Sequence, residues 1–310
     1  MEETETFIHV NDLREIETRQ PTYLALGSFD GVHRGHQFVL QKMVTAAKDA
    51  GVRTAVLTFF PHPQRVLQNL TEPYYIATLA DRVTWLAELG VDVIITQPFT
   101  EEVRQTRAAD FIDQLCHYLD LCQLWGGDFA LGYKREGDVP FLRQLGLQKG
   151  YTVELVNGMV TYKGELVSSS RIRRCLKAGE IEAVNGCLAR PYRLHGTVVK
   201  GDQRGRTIGF PTANLDCWAE QLLPANGVYA TYVWLGDERY KAATNVGLRP
   251  TVDGGRLTVE AHLLDFDGDI YGRELSLEFI GRVRSEKKFS GLAELKIQIQ
   301  TDVQQIRTLL

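Results

Sequence analysis

The sequence predicts an α/β domain built on a parallel sheet, followed by a small antiparallel β-barrel that a C-terminal helix closes. Three observations predict it. A chain of 310 residues has room for about two domains of ~150 residues. Short apolar, β-rich runs alternate with helical periods up to about residue 185, the signature of a parallel sheet with right-handed crossovers. After Pro191 the helical period vanishes, and short strands separated by glycine turns take over.

In the first domain, expected at residues 1–185, the strand candidates are 23–28 (YLALGS), 53–60 (RTAVLTFF), 91–97 (VDVIITQ) and 151–156 (YTVELV). A helix over 36–50 places Val39, Met43, Ala46 or Ala47, and Ala50 on one face, and a helix over 78–89 does the same with Leu79, Val83, Leu86 and Leu89. Gly51 and Gly90 stop these helices. Two short helices, 169–178 and 180–188, break at Gly179 and end the domain. The second domain, expected at residues 186–310, offers the strands YRLHGTVVKG, GVYATYVWLG, YKAATNVG, LTVEAHLLDF and ELSLEFIGRV. Its last helix is expected to be capped by Ser290. Leu292, Leu295, Ile299, Val303, Ile306 and Leu310 form one stripe along that helix, which is expected to pack on the barrel rather than on a partner.

Composition narrows the function. The chain is 44% hydrophobic and 24% charged, ordinary for a globular protein, so each half can bury a core. A net charge of −4 gives no global attraction to nucleic acid or anionic membrane. Five cysteines, Cys116, Cys122, Cys175, Cys187 and Cys217, form no C-x-x-C pair. They suit reduced thiols better than a disulfide framework or a zinc site. The start, MEETETFIHV, lacks an apolar signal core, and no run approaches the ~20 apolar residues of a membrane span. A cytoplasmic location is expected, and the oligomeric state stays open.

The stretch GSFDGVHRGH, residues 27–36, joins the first strand to the first helix. In an open α/β sheet ligands bind beyond the carboxyl ends of the strands, and a helix N-terminus there attracts phosphate. Gly31 and Gly35 let the backbone approach closely, and His33 and His36 can donate hydrogen bonds to phosphate oxygens as charge builds. A lone histidine would be read as a capping or core residue; two of them in H-x-G-H argue for a ligand. Further on, Ser168, Ser169 and Ser170 offer caps and hydroxyl donors, and Arg171 and Arg173 offer forked cationic donors to a triphosphate. Taken alone, that run reads equally as a capped helix with a solvated basic face. In the second half, Gly201, Gly205 and Gly209 can form a loop whose N–H groups cradle phosphate. The spacing is neither G-x-G-x-x-G nor G-x-x-x-x-G-K-[ST], which excludes the usual dinucleotide and Walker readings. Thr212 can ligate Mg2+ through its hydroxyl and Asn214 can orient it. Glu260 is the only acidic residue within LTVEAHLL.

GSFDGVHRGH resembles the G-x-F-D-G-x-H-x-G-H motif of the nucleotidyltransferase superfamily, in the form used by bacterial bifunctional riboflavin kinase/FAD synthetases. TFFPHP (58–63), GGDFALG (126–132) and VSSSRIRRCL (167–176) resemble further motifs of its first domain. GTVVKGDQRGRTIGFPTANL (196–215), GVYA (227–230), NVGLRPT (245–251) and VEAHLLDFDGDIYGREL (259–275) resemble the riboflavin kinase motifs, in order. The chain departs from the family at Ala130 and Leu131, where a basic or polar residue and Phe are usual, and at Ser170, where Thr is usual. The resemblance implies a Rossmann-like nucleotidyltransferase domain before a riboflavin kinase barrel. It implies two reactions: riboflavin plus ATP gives FMN, and FMN plus a second ATP gives FAD and pyrophosphate. It makes Glu260 the general base of the first, and His33, His36, Ser169 and Arg173 the stabilising groups of the second. It places Gly27, Phe29, Asp30, Gly31, Gly35, Asp128, Ser168, Ser170 and Arg171 around one nucleotide–flavin site. Gly201, Gly205, Arg206, Gly209, Pro211 and Asn214 are placed around the other, with Mg2+ on Thr212. Riboflavin, FMN and ATP are then the partners, with no nucleic acid or membrane. One alternative is a kinase whose first domain has lost adenylyl transfer. Another is a flavin-binding regulator that contacts RNA through Arg171–Lys177 or Arg282–Lys288, against which the net charge and the lack of stacking aromatics within those patches argue.

Overall fold

The structure is a computed structural model that describes residues 7–201, 204–249 and 256–310. The acidic start, Asp202 and Gln203 of the glycine loop, and Pro250 and Thr251 of NVGLRPT lie outside the described residues. Contacts divide the chain into two compact units: residues 1–71 with 78–161, and residues 72–77 with 162–310. This division differs from the expected 185/186 because the helices at 169–188 and the short segment 72–77 make their contacts within the second unit.

The first unit holds β1 (Ile8–Val10), β2 (Thr22–Leu26), α1 (Arg34–Ala50), β3 (Arg53–Phe60), α2 (Pro63–Leu67), α3 (Leu79–Glu88), β4 (Val93–Pro98), α4 (Glu101–Gln105), α5 (Ala108–Leu119), β5 (Leu121–Gly126), α6 (Val139–Lys149) and β6 (Thr152–Leu155). The six strands are all parallel, in the order β1-β4-β3-β2-β5-β6. The order runs outward in both directions from β2 and β5, so the crevice at their carboxyl ends is the topological switch point. Gly51 and Gly90 end α1 and α3 at φ of 64° and 83°, as expected. The buried face of α1 is rotated from the expected one: Leu40, Met43 and Ala47 are buried, while Ala50 is exposed. Both stripes recur three to four residues apart, and the sheet takes the one carrying the larger Leu40. On α3 the core face includes Arg82 and Trp85 beside Val83 and Leu86.

The junction carries a two-stranded hairpin, β7 (Thr161–Tyr162) and β8 (Glu165–Leu166). The second unit continues with α7 (Ser169–Ala178), α8 (Ile181–Leu188), β9 (Tyr192–Val199), α9 (Arg204–Thr207), β10 (Ala213–Cys217), β11 (Gly227–Leu235), β12 (Glu238–Arg249), β13 (Arg256–Leu263), β14 (Glu274–Ser285) and α10 (Leu292–Leu309). The barrel closes in the order β10-β13-β12-β11-β14-β9, all antiparallel. Along β9 interior alternates with exterior, with Leu194, Gly196 and Val198 buried. Helix α10 packs Val303, Ile306 and Leu310 against Val228, Ala230 and Leu264. Two expectations for it are corrected. Gly291, not Ser290, is the N-cap; the Ser290 hydroxyl and N–H instead donate to Glu294. Leu292 is 63% exposed, because the barrel wall supports the helix nearer its C-terminus. Among the described residues no helix is long and apolar enough to cross a membrane.

Candidate functional sites

The turn after β2 is tightly wound. Phe29, Gly31 and Val32 have φ of 45°, 76° and 37°. A β-branched residue at positive φ is strained, and Val32 holds it because its side chain is fully buried and its carbonyl accepts from Gln37 Nε2 at 2.8 Å. A Cβ on Gly27 would stand 3.2 Å from the Phe29 ring, so any larger residue would have to push the ring aside by a few tenths of an ångström. The strain aims the chain so that His33 becomes the N-cap of α1, its Nδ1 accepting the His36 N–H at 3.3 Å. His33 thus plays the capping role first set aside for it. A neutral imidazole that accepts at Nδ1 carries its proton on Nε2, where it can donate. The His33 and His36 rings stack with centroids 3.6 Å apart, and Phe29 meets His36 edge-on at 5.1 Å. The first turn of α1 holds no acidic residue, so the positive end of a 17-residue helix is not neutralised by its own side chains.

Asp30 was expected at the ligand. It is buried, and its carboxylate lies 3.7 Å from the guanidinium of Arg82, also buried. Arg82 Nη1 donates to Thr58 Oγ1, which donates to the Ser28 carbonyl. The pair ties α3 to the glycine–histidine turn, a positioning role that sequence reasoning missed; the signal was an arginine amid the apolar spacing of α3. At the carboxyl end of β5, Gly126 is needed because a Cβ would come within 2.8 Å of the Phe129 ring. Asp128 is exposed, and its Oδ1 accepts the Phe129 N–H.

The serine–arginine run lies in the second unit, at the start of α7. Only Ser168 caps, accepting the Arg171 N–H at 3.2 Å. The Arg171 guanidinium donates to the carbonyls of Tyr162, Glu165 and Leu166 and approaches the Glu165 carboxylate at 3.3 Å. That pins the hairpin to α7. Arg173 donates from Nε to the Tyr74 carbonyl at 2.8 Å and lies over the Tyr74 ring at 3.8 Å. Ser169 and Ser170 stand in the first turn of α7.

On the barrel, Glu260 of β13 stands directly opposite Asn214 of β10 on one side and Asn245 of β12 on the other. Directly opposed residues of antiparallel strands share a face, with Cβ atoms ~5 Å apart, so one carboxylate is flanked by two amides. Asn245, the first residue of NVGLRPT, carries no signal of this placement in the sequence. The glycine loop fits against this row. A Cβ on Gly201 would fall 2.3 Å from the Asn214 side chain, and one on Gly205 would fall 2.2 Å from the Phe210 carbonyl. Gly209 turns at φ 86°. His262, which the sequence did not single out, donates from Nδ1 to the Pro211 carbonyl at 2.7 Å and meets Phe210 edge-on. Two cavities are lined by residues of the barrel. The smaller, about 330 Å³, is lined by Arg206, Pro211, Thr212, Asp267, Asp269 and Tyr271. The larger, about 810 Å³, is lined by Asn214, Asp216, Trp218, Leu222 and Leu257 among others. Thr212 faces one and Asn214, two residues on, the other. Asp265 of the same turn is held by Arg307 of α10 through two hydrogen bonds, which lower its pKa.

A parallel sheet with a histidine-flanked helix N-terminus at its switch point, together with a barrel that sets a carboxylate between two amides beside a glycine loop, defines a two-site, nucleotide-using transferase. A family model described as FAD synthetase matches residues 15–171, and one described as riboflavin kinase matches residues 188–310. The chain is 36% identical to the bifunctional riboflavin kinase/FMN adenylyltransferase of Bacillus subtilis (strain 168), covering 93% of this chain and 92% of that protein. It is 36% identical to the protein of the same description from Escherichia coli (strain K12), covering 90% of each. A crystal structure described as a macrolide-efflux protein from Streptococcus pneumoniae superposes with a TM-score of 0.87 at 28% identity, over 97% of this chain and 98% of that one. The chain belongs to the family of bifunctional riboflavin kinase/FMN adenylyltransferases.

Proposed function

We propose that this chain makes FAD from riboflavin in two steps, each at its own site. The barrel transfers the γ-phosphoryl group of ATP to the ribityl 5′-hydroxyl of riboflavin, giving FMN and ADP. The parallel-sheet domain then joins the FMN phosphate to the α-phosphorus of a second ATP, giving FAD and pyrophosphate. The functional division is proposed near residue 185, which the two family matches, ending at 171 and starting at 188, support.

In the kinase, the smaller cavity takes the nucleotide and the larger the flavin, so the reacting groups meet at the Thr212–Asn214 seam. Glu260 accepts the hydroxyl proton, a contribution of ~10²–10⁴-fold for a positioned base. Asn214 and Asn245 hold that carboxylate and the incoming hydroxyl in line. The glycine loop offers N–H groups to the phosphates. Mg2+ fits this seam. Among the described residues no cluster of three or more His, Cys, Asp or Glu could hold a metal. A hydroxyl and an amide crowded by Gly201 suit a small hard cation that takes its remaining oxygens from phosphate and water. Thr212 and Asn214 would hold it, and it would supply neutralisation of phosphate charge.

In the adenylyltransferase, the nucleophile is a phosphate already ionised at pH 7, so positioning and charge stabilisation suffice. His33, His36 and the N-terminus of α1 provide donors, and the Gly126–Asp128 turn of β5 closes the other side of the crevice. A localisation in the cytoplasm is part of the proposal.

The observation that carries the reading is the Asn214–Glu260–Asn245 row beside the glycine loop, on a chain that also sets H-x-G-H at the sheet's switch point. The test is a time course with riboflavin, ATP and Mg2+, alongside one that starts from FMN. The reading expects FMN, then FAD, in the first and FAD in the second. No FMN from riboflavin would overturn the kinase half. FMN without FAD in either mixture would leave a kinase with a silent first domain.

A further inference from the structure

The larger cavity of the barrel is not walled by the barrel alone. Glu72 and Pro73 line it, and they precede β9 by more than a hundred residues. They begin a short strap, Glu72–Ala77, that makes its contacts in the second unit. The strap is built in rather than draped. Tyr74 and Tyr75 both donate their N–H to the Glu220 carbonyl, at 2.8 and 3.0 Å, and the Leu222 N–H donates to the Tyr75 carbonyl at 2.9 Å. Tyr75 bridges Gln221 as a parallel β-partner. Gln221, itself buried, donates its amide to the Ile76 and Arg193 carbonyls, tying strap to barrel strand. The Tyr75 ring is fully buried and stacks on Trp218 at 4.9 Å. The segment 218–222 that the strap holds is itself a stretch of the cavity wall, through Trp218, Gln221 and Leu222.

We propose that this strap is a specificity element of the kinase: Glu72 and Pro73 complete the flavin pocket, and Tyr75 fixes the wall segment 218–222 in its binding conformation. The inference rests on the assignment of the larger cavity to riboflavin. A wall held by backbone hydrogen bonds and a buried aromatic stack is pre-organised, so its loss falls on flavin binding more than on the nucleotide, which is assigned to the smaller cavity. The strap also brings one carboxylate and one proline to a mouth that already carries Lys177, Lys200 and Asp216. That polar rim suits the hydroxylated ribityl chain and the ring carbonyls of a flavin.

The experiment uses the full chain and reads riboflavin KM, ATP KM and kcat of the kinase step, with riboflavin affinity measured by quenching of its fluorescence. Glu72→Ala with Pro73→Gly, and separately Tyr75→Ala, should raise riboflavin KM and Kd by about tenfold, the loss of roughly one good contact. ATP KM should stay within about twofold, on the same scale. Leu223→Trp, which adds bulk to the cavity from the connection between β10 and β11, is the control for the underlying assignment. If Leu223→Trp leaves riboflavin binding unchanged, the cavity is not the flavin site and the inference is overturned with it. If Leu223→Trp weakens riboflavin while the strap variants do not, the strap inference alone is overturned. Should Tyr75→Ala fail to fold, the Glu72/Pro73 variant decides, since both residues line the cavity mouth. A parallel rise in ATP KM would mean general loosening and would also overturn the proposal.

Discussion

His36 sits where a strained turn, a capping partner and a helix dipole converge, and each of these can be separated by mutation. Its backbone N–H, not its ring, completes the cap with His33. His36→Ala therefore leaves the cap in place and removes only the ring. FAD formation from FMN should fall by roughly two to three orders of magnitude, the scale for losing one transition-state donor. Riboflavin phosphorylation should hold its rate; FAD formation at the wild-type rate would make the ring structural. A different residue sets a pH response. Asp12 caps the turn Leu13–Glu15, and its carboxylate accepts from the Arg14 side chain and N–H and from Gln97 Nε2. The Arg14 guanidinium above all, with Gln97 beside it, lowers the Asp12 pKa from 3.8 to about 2. A folded-state pKa below the unfolded one gives stability that is present above pH ~4 and fades as pH falls toward ~2. The Arg14 side chain is 76% exposed, so the contribution is small. Urea midpoints measured from pH 5 to pH 2 should fall less steeply for Asp12→Asn than for the wild type.

Helix α6 poses propensity against packing. Gly146 lies inside it, and Ala there would be worth up to ~1 kcal/mol by helix propensity alone. A Cβ at that position would fall 2.4 Å from the Tyr151 carbonyl oxygen, a backbone atom that the hydrogen bond from Tyr151 Oη to the Leu142 carbonyl helps to hold. Gly146→Ala should therefore destabilise the first unit by about 1–3 kcal/mol, the scale of overpacking, in urea unfolding. A gain in stability would show that Tyr151 moves freely. The same contest explains which elements were legible in the sequence. β3 was readable to the residue because RTAVLTFF is a short β-rich run dominated by apolar Ala55, Val56, Leu57, Phe59 and Phe60, as a strand buried on both faces requires. β10 was not, because Ala213 and Leu215 are its only buried apolar residues and Pro211 stands just before them. The H-x-G-H turn stood out by its residue types, and Glu260 through the family resemblance. Asn245 and His262 were not, since their meaning comes from strand register and loop docking. The Asp30–Arg82 pair was hidden because a charge on an amphipathic helix reads as solvent-facing until the tertiary fold buries it.

At the scale of the whole molecule, the barrel is self-contained in its hydrogen-bonded closure but not in its supports. Asn185 of α8 donates to the Phe279 carbonyl and accepts the Tyr192 N–H. The Ala225 N–H donates to the Leu176 carbonyl, and Arg282 Nη1 donates to the Ala178 carbonyl. Ile181, Val184, Cys187 and Leu188 of α8 are all buried. A fragment of residues 186–310 cuts α8 within its buried face and discards Asn185, leaving the Tyr192 N–H and the Phe279 carbonyl without those partners. Unsatisfied buried groups cost ~1–3 kcal/mol each, a large part of the stability of a single domain. A fragment of residues 162–310 keeps α7, α8 and every one of these bonds, and loses the strap and Thr161 of β7. We expect residues 162–310 to be soluble, to melt cooperatively and to convert riboflavin to FMN without making FAD. Residues 186–310 should melt at least several degrees lower, in line with the shift that ~1 kcal/mol produces in a domain of this size. Thermal melts of the two fragments, with FMN formation measured on each, check this directly. Equal melting temperatures would mean that α7 and α8 add nothing to the barrel. A folded but inactive 162–310 fragment would mean that the kinase depends on residues before 162.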